Sequence, residues 1–430
     1  MYLKSIRLQN FRMFADVTIE FPFEEGGKPK PVVLIGVNGA GKSSFIRALV
    51  SILDYNFSLA FDYPYSEELK IKSDDIKSGQ PRLFIECFFV IGEEMIFIEV
   101  VKSLDKEVSI LIGGRHSINS IDLIKVNQPV CIHYPANRIA SQSQRTENRG
   151  RPNIWSEGFN AKLANFETFL TWFEELENLE NEKKLEQKDF DYKEKDLEAV
   201  RSAIISFWRS LPDADFKNLR VRRTHKTGNG KIFQSNIESN LIIDKGAETF
   251  SISNLSDGEK MLLLVVCDIA RRLAIADPEA ESPLLGKGIV LIDEIDLHLH
   301  PSWQKSVIQG LQTTFPNIQF IVTTHSPLII NHVPQESVLV LKDGDCFPMS
   351  SHPFNSYGAD IEDIYTIVQG VESLLPEEIG RKLQTFFRLI DEDKMEEAKS
   401  LRKDLEKLID AHHPELLKGQ TLMDYKAISR

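Results

Sequence analysis

Hydrophobic and polar residues alternate in some parts of the chain and recur at helical spacing in others. Residues 1–23 alternate around a turn at 10–14, which predicts two antiparallel strands. Further alternating segments predict an antiparallel β layer: 82–90, 95–102 and 108–112. Unbroken apolar runs, which are typical of strands buried on both faces, lie at 32–35, 129–135, 288–292, 318–324 and 338–341.

Apolar residues at helical spacing predict helices at 44–53, within 166–211, at 261–276 and through the tail 360–430. Segment 180–198 is dense in charge of both signs. It fits either a short helical hairpin that projects from the body or an ordinary solvated helix face. The tail fits either packing against the body or a docking surface for another protein.

A predicted hairpin, with strands at 219–225 and 232–236, carries the densest basic cluster of the chain. The cluster consists of Arg220, Arg222, Arg223, Lys226 and Lys231. Such side chains are used to contact nucleic acid, and also to protect an edge strand against aggregation. The sequence leaves both interpretations open.

The overall charge limits what this basic cluster can do. The net charge is −13, which argues against a protein that coats nucleic acid without specificity, although a local basic groove on an acidic body is compatible with it. The cysteines have no C-x-x-C spacing, so we expect small buried side chains rather than a disulfide frame or a zinc site: Cys87, Cys131, Cys267 and Cys346. No apolar run approaches the roughly 18 residues of a membrane helix, and we expect a soluble, cytoplasmic protein.

The segment Gly36–Ser43 reads G-x-x-x-x-G-K-S between a predicted buried strand and a predicted helix. This is the context of a P-loop, in which backbone N–H groups surround phosphates, Lys42 reaches the outer phosphates and the Ser43 hydroxyl binds Mg²⁺. We therefore predict a nucleotide site. Its expected contacts in this segment are Gly36, Asn38, Gly39, Gly41, Lys42, Ser43 and Ser44.

A second helix start also has the properties of an anion site. Ser256 and Glu259 form an S-x-x-E capping box before the long apolar helix. The same geometry offers the Ser256 hydroxyl, the Gly258 N–H group and the positive end of the helix dipole to a phosphate.

Two carboxylates, Asp293 and Glu294, follow the apolar run 288–292 in the pattern called Walker B. Charges are costly inside a buried strand, so its C-terminal end belongs at the active cleft. We expect Asp293 to hold Mg²⁺ through water and Glu294 to polarise the attacking water. The Asp296, His298 and His300 cluster that follows is better read as a turn than as a metal site.

His325 ends the next predicted buried strand. The strands of the P-loop and of Walker B end at the same edge of the predicted sheet, so His325 is expected to reach the γ-phosphate. The strand at 129–135 ends near this edge as well.

With these motifs in this order, the chain resembles ABC-type ATPases, and specifically the soluble branch of AAA family ATPases that contains the SMC, RecF and OLD proteins. The opening residues 3–12 are also similar to the start of that branch, and Arg12 within them is an expected ATP contact. The resemblance covers roughly residues 1–345. It implies an α/β fold: a P-loop ATPase head with a mixed sheet flanked by helices and an antiparallel β layer.

The resemblance also divides the chain. It implies an N-terminal half of the head at 1–150, a helical insert at 151–215, the C-terminal half at 216–350 and a helical extension at 351–430. In this family Ser256 and Gly258 bind the γ-phosphate of the nucleotide on the other subunit. Asp296 corresponds to the D-loop, and His325 corresponds to the switch histidine.

One position departs from the family pattern. The family usually has Gln after the strand that ends near Pro135, whereas this chain has Ala136 and Asn137, so Asn137 is the candidate replacement as the Mg²⁺ and water contact. The sites of the family are composite. The resemblance therefore implies at least a homodimer, with ATP and Mg²⁺ as cofactors.

The subgroup is indicated by what accompanies the head. The insert is far shorter than an SMC coiled coil, and the tail lacks the length and pattern of the Toprim nuclease domain of OLD proteins. The compact head, residues 291–304 and the helical tail are most similar to the PtuA ATPases of Septu and some retron anti-phage defence systems. That family works with a separate HNH endonuclease.

These observations favour an ATPase that gates such a nuclease. A RecF-like or SMC-like DNA-binding ATPase of repair or recombination is the alternative, motivated by the basic hairpin. A transporter ATPase is disfavoured by the N-terminal residues and by the absence of a membrane segment from the sequence pattern.

Overall fold

A computed structural model describes residues 1–114, 120–136, 154–159, 166–226, 236–371 and 375–428 of the chain. The chain forms two compact units, Met1–Ala359 and Asp360–Arg430. The finer division at 150, 215 and 350 stays a prediction. Among the described residues, no helix combines the length and the apolar character that crossing a membrane requires.

Within the described residues, the strands all lie in the first unit. They are β1 (Tyr2–Phe11), β2 (Phe14–Glu20), β3 (Val32–Ile35), β4 (Arg82–Ile91), β5 (Glu94–Ser103), β6 (Ser109–Gly114), β7 (Val130–Tyr134), β8 (Phe216–Lys226), β9 (Asn236–Lys245), β10 (Glu248–Ser251), β11 (Gly288–Ile292), β12 (Ile318–Thr323), β13 (Val338–Lys342) and β14 (Asp345–Pro348).

The helices of the described residues lie in both units. They are α1 (Lys42–Phe61), α2 (Ser120–Asn127), α3 (Ile154–Gly158), α4 (Phe166–Gln187), α5 (Lys195–Arg209), α6 (Asp257–Ala276), α7 (Pro301–Gln304), α8 (Val307–Thr314), α9 (Pro327–Ile330), α10 (Ile361–Asp363), α11 (Glu377–Asp391), α12 (Met395–Leu405) and α13 (Pro414–Ile428).

A six-stranded mixed sheet in the order β14-β13-β3-β12-β11-β7 forms the centre of the first unit. The neighbours from β13 to β7 are parallel, and β14 pairs antiparallel with β13 at the edge. All the predicted buried strands are present here. Their C-terminal ends are in register, since Ile292 lies opposite both Tyr134 and Val322, and Thr323 lies opposite Leu34. The residues after these strands therefore meet at one edge of the sheet.

The predicted antiparallel layer is a five-stranded sheet in the order β2-β1-β4-β5-β6. Its apolar face packs with α1 in one continuous core. Gln319 of β12 is fully buried and ties the layer to the central sheet, because its side chain accepts from the Leu3 N–H at 2.7 Å and donates to the Leu3 carbonyl at 2.9 Å. Helix α1 runs well beyond the predicted 44–53, since its apolar stripe continues to the buried residues Phe57 and Ala60.

The basic hairpin belongs to a third sheet, in the order β10-β9-β8. Of its second strand, predicted at 232–236, only Asn236 lies within the described residues, and it belongs to β9. Strand β9 continues past the predicted end through the apolar residues Leu241, Ile242 and Ile243, which are buried. The turn between β8 and β9 lies outside the described residues.

The charged segment belongs to a helical hairpin, whereas one of its two interpretations predicted a hairpin that projects from the body. Two ion pairs link α4 to the connection and to α5. The Lys183 ammonium of α4 donates to Glu194, just before α5, at 2.8 Å, and Arg201 of α5 pairs with the buried Glu180 of α4 at 2.9 Å. The hairpin does not project freely, because the apolar face of α5 is buried against α6 and α8. Trp208 of α5 contributes to this packing.

The second unit is helical, as the tail pattern predicted. Helices α11, α12 and α13 share a small core of their own. Its fully buried members are Phe386, Ile390, Ala398, Leu405 and Leu416.

Candidate nucleotide site

The P-loop connects β3 to α1 at the C-terminal edge of the central sheet. Gly41 is the N-cap of α1 with a φ of 103°, a conformation that strongly favours glycine, and a Cβ there would lie 2.5 Å from the Met13 sulfur. Val37, Asn38, Gly39 and Ser43 are exposed, so the loop presents its backbone and the Ser43 hydroxyl to solvent. These are the groups that a phosphate requires.

Lys42 curves back over this loop. Its ammonium donates to the Gly36 carbonyl at 2.7 Å and to the Val37 carbonyl at 3.2 Å. Burial lowers the pKa of Lys42, while the carboxylates of Asp293, Glu294 and Asp296 act in the opposite direction. The ammonium in the first turn of α1 and the carboxylates that follow β11 are therefore close enough to interact electrostatically.

The Walker B carboxylates are positioned by a residue of the neighbouring strand. The Thr323 hydroxyl donates to Asp293 Oδ1 and accepts from the Glu294 N–H at 2.7 Å. The Asp293 N–H donates to the Tyr134 carbonyl at 2.8 Å. Glu294 has a positive φ of 49°, an uncommon backbone conformation that marks the sharp turn after β11.

Thr324 fixes the turn that contains Asp296, as Thr323 fixes the Walker B carboxylates. Its hydroxyl donates to Asp296 Oδ1 at 2.6 Å and accepts from the Ser326 N–H at 2.9 Å. The Ser326 hydroxyl donates to Gln304 at 2.6 Å and caps α9. The turn that holds Asp296 and the turn that holds His325 are therefore fixed to each other by side-chain hydrogen bonds.

His325 follows β12 directly and is half-buried. Burial and the nearby Lys42 ammonium lower its pKa, against the opposing effect of Asp296, Glu294 and Asp293. The imidazole is consequently neutral near pH 7 and can accept or donate a hydrogen bond through either nitrogen.

The predicted capping box is present at the start of α6. Glu259 Oε2 accepts from the Ser256 N–H at 2.8 Å and from the Ser256 hydroxyl at 2.9 Å, and Ser256 Oγ accepts from the Glu259 N–H at 3.3 Å. Although burial acts to raise it, the Lys245 ammonium and the hydrogen bonds from Ser256 hold the pKa of Glu259 below its usual value. The carboxylate is therefore charged.

Gly258 is packed too tightly for any larger residue. A Cβ at this position would lie 2.4 Å from the His298 carbonyl oxygen, which belongs to the turn after Asp296. The N-terminus of α6 and the Asp296 turn of the same chain therefore touch through the glycine backbone.

Arg12 is held in place beside the P-loop helix. Its guanidinium donates to Asp75 at 2.8 Å and to the Ser44 hydroxyl at 3.3 Å. Asp75 is buried and also lies 3.5 Å from Arg47. The ion pair with Asp75 could not be read from the sequence, because it joins residues of separate elements.

Two predicted site residues, Asn137 and Lys231, lie outside the described residues. Pro135 and Ala136, which follow β7 and precede Asn137, are described and half-buried. Of the described basic cluster, Arg220 forms a bidentate ion pair with Asp244 and Arg223 pairs with Glu174 at 2.9 Å. Arg222 is exposed.

The interpretation of residues 296–300 as a turn agrees with the structure. His300 caps α7, with Nδ1 2.7 Å from the Ser302 hydroxyl, and no group of three His, Cys, Asp or Glu side chains in the described part of the chain could hold a metal ion. Cys87, Cys131 and Cys267 are buried, as expected, and Cys346 is partly buried.

A buried ionic cluster on α6 was not predicted. Asp268 accepts from the Tyr134 hydroxyl at 2.9 Å and from Arg272 Nε at 2.8 Å, and it lies 3.1 Å from Arg271. Arg271 also pairs with Glu157 of α3 at 2.8 Å. The spacing of Asp268 to the two arginines, i to i+3 and i+4, was the available sequence signal.

The fold and the site together define an α/β P-loop ATPase head. Family models agree: a model described as "AAA domain" matches residues 5–217, and one described as "AAA domain, putative AbiEii toxin, Type IV TA system" matches residues 138–331. The two matches include the P-loop and the Walker B carboxylates, respectively.

Individual relatives identify the family. The chain is 30% identical over 417 residues to the Retron Vc95 probable ATPase of Vibrio cholerae serotype O1 biovar El Tor, covering 87% of this chain and 80% of the relative. It therefore belongs to the family of AAA-domain ATPases that includes this retron protein. It is 25% identical to the Septu protein PtuA of Bacillus mycoides (strain KBAB4), over 80% of this chain and 41% of that one.

Solved structures are more distant. An Smc head bound to the C-winged helix domain of ScpA matches 81% of this chain and 97% of that chain with a TM-score of 0.47 and 17% identity.

Proposed function

We propose that this protein hydrolyses ATP at composite sites, each formed by the P-loop of one chain and the Ser256 turn of another, and that it gates a separate HNH endonuclease in anti-phage defence. The observation that carries the ATPase part is the Thr323 hydroxyl, which bonds both Asp293 and the Glu294 backbone at the sheet edge next to the P-loop. Carboxylates oriented in this way are what phosphoryl transfer to water requires.

The donor set fits Mg²⁺. Ser43 and Asp293 offer a hydroxyl and a carboxylate, the hard oxygen ligands that this ion prefers. When bound, Mg²⁺ neutralises developing charge on the phosphates. Lys42 then leaves the loop carbonyls for the outer phosphates, and His325 contributes a neutral imidazole at the γ-phosphate.

Glu294 is the residue proposed to orient the attacking water. It stands one residue beyond Asp293, on a turn fixed by the backbone bond to Thr323. Its carboxylate can accept a proton from water, whereas an amide in its place cannot act as a base. Asp296 is proposed to lie at the dimer contact, beside the N-terminus of α6.

The composite arrangement is proposed because the P-loop and the Ser256 turn are two separate phosphate-binding elements of one chain. The Ser256 turn is a helix N-terminus with an exposed serine, a phosphate site by its chemistry, and one chain provides it once. A homodimer in which the P-loop of each chain faces the Ser256 turn of the other is therefore the minimum assembly. A Ser256→Arg variant should lose ATPase activity while still binding ATP, and activity at the wild-type level would rule out composite-site hydrolysis.

The nuclease partner is proposed from the resemblance to the Septu and retron ATPases. The test is co-expression of this chain with the product of its neighbouring gene, followed by purification through a tag on this chain. Co-purification of an HNH protein, and phage protection that is lost in the Glu294→Gln variant, are the expected results. An unrelated neighbour, or an HNH protein that does not co-purify, would refute this partner.

Nucleic-acid binding is a second candidate activity. It is supported by Arg222, which is exposed on β8 beside the paired Arg220 and Arg223. Because those two arginines are engaged by carboxylates, a small contact is proposed rather than a continuous basic groove. ATP-stimulated, salt-dependent DNA binding that is lost on Arg222→Glu would support it, and binding unchanged by this substitution would not.

A further inference from the structure

The carboxylate that caps α6 stands where the proposed function needs an anion to bind. Glu259 Oε2 lies within hydrogen-bond distance of both the N–H group and the hydroxyl of Ser256. A phosphate that approaches this serine therefore meets a charged carboxylate next to the same hydroxyl. Like charges at such a distance repel strongly where water is partly excluded, and Glu259 is buried.

Lys245 forms an ion pair with the other oxygen of this carboxylate. It is the last residue of β9, and its ammonium lies 2.5 Å from Glu259 Oε1. The same ammonium lies 5.4 Å from the centre of the Phe216 ring, which supports its position from the side. The Lys245 side chain is 41% exposed and that of Glu259 only 9%, so the positive charge is the more accessible of the pair.

The other charges of this turn compensate each other. Lys260 lies 3.7 Å from Asp257, one helical turn apart on α6. Glu259 of α6 is therefore paired with Lys245, a cation from strand β9 and not from α6 itself.

We propose that Lys245 is a positioning residue of the composite ATP site: it neutralises Glu259, so that the γ-phosphate of a nucleotide held by the partner subunit can reach Ser256. This inference rests on the proposed function and deepens it. Lys245 acts through Glu259 and is not assigned a direct contact with the nucleotide.

The test is a double-mutant cycle on ATPase activity with Lys245→Met and Glu259→Gln. Methionine keeps an unbranched apolar stem without the charge, and glutamine keeps the acceptor of the capping box without the charge. With Glu259 present, Lys245→Met is expected to lower kcat/KM about ten-fold. In the Glu259→Gln background, the same substitution is expected to change kcat/KM by less than about two-fold, because no carboxylate remains to be neutralised.

Lys217→Met provides the matched control. Lys217 lies on β8, next to Phe216, the residue opposite Lys245 in the sheet, and its ammonium pairs with Asp215 at 3.2 Å. Its kcat/KM should stay near that of the wild type. A merely structural role of Lys245 would lower kcat/KM equally in both backgrounds. Thermal unfolding of all variants shows which substitutions change the stability of the fold.

Equal penalties in the two backgrounds, or wild-type kcat/KM in Lys245→Met, would overturn the inference. Ser256→Arg, measured in parallel, distinguishes a failure of the role of Lys245 from a failure of the composite site. If Ser256→Arg is inactive while Lys245→Met is fully active, only the role of Lys245 fails. If Ser256→Arg itself is fully active, the composite site fails.

Discussion

At the residue scale, the proposed function separates groups that bind nucleotide from groups that act on water. It assigns Lys42 to the first kind and Glu294 to the second. We predict that Glu294→Gln lowers kcat at least about 100-fold while ATP stays bound, because the amide cannot serve as a base. Lys42→Ala should instead weaken ATP binding itself by about ten-fold or more. Steady-state ATPase assays and fluorescent-nucleotide titrations distinguish the two variants, and normal turnover in Glu294→Gln would remove it from its role.

Thr323 gives a prediction that tests the geometry. Thr323→Val keeps the shape of the side chain but leaves Asp293 and the Glu294 N–H without the hydroxyl they share. We predict about a ten-fold lower kcat with an ATP dissociation constant within about two-fold of the wild type. Thr314→Val is the control, since Thr314 is also buried but its hydroxyl bonds the Gly310 carbonyl of its own helix α8 and Ser206 of α5. Equal effects of the two substitutions on kcat would contradict the role of Thr323.

The sequence predicts the site residues that lie within one continuous motif. The P-loop, the capping box of Ser256 and the Walker B carboxylates each have their own local pattern, and the capping-box geometry is present as expected. Thr323 and Lys245 could not be found in this way. Each acts on a residue of another element, and only the pairing of strands or the packing of a helix brings the two together.

At the element scale, α6 carries a buried ionic cluster that was not predicted. Asp268→Ala leaves Arg271 and Arg272 buried without this counter-ion, and we predict a loss of about 3 kcal/mol or more in the free energy of unfolding, measured by urea denaturation. Asp16→Ala, at an exposed ion pair with Arg7, should change it far less. Equal losses would contradict a stabilising role for the cluster.

The pH dependence of the same cluster can be derived from its charges. Burial acts to raise the pKa of Asp268, but Arg272 and Arg271 hold it below the ordinary value of an aspartate. A lowered folded-state pKa means that its stabilisation is present above the unfolded-state value and is lost as the pH falls through the folded value. We therefore predict that wild type and Asp268→Asn converge in stability under acidic conditions. A difference that grows as the pH falls would contradict this assignment.

Element types were predictable because periodicity reports burial directly. The parallel strands read as unbroken apolar runs and the antiparallel layer as alternation, and both are present. Element ends were less accessible. Strand β9 extends beyond its predicted end because its buried residues 241–243 follow a long polar segment. Helix α1 extends beyond the predicted 44–53 because its buried stripe continues to Ala60.

At the scale of the whole molecule, the proposed ATPase requires two chains that complete each other's sites. The P-loop and the Walker B residues lie at one sheet edge, while the Ser256 turn begins another helix. Isologous pairing of two such chains gives two sites, each with a P-loop from one chain and a serine turn from the other. ATP should therefore promote dimerisation of Glu294→Gln, seen as a larger mass in light scattering, and a mass unaffected by ATP would contradict this.

The most direct test mixes two inactive variants. In a heterodimer of Glu294→Gln with Ser256→Arg, one site combines the intact catalytic residues of the second chain with the intact serine turn of the first. Random pairing makes half of the dimers mixed, each with one working site of two, so co-expressed chains should recover about a quarter of wild-type ATPase activity. A mixture as inactive as either variant alone would contradict the composite site.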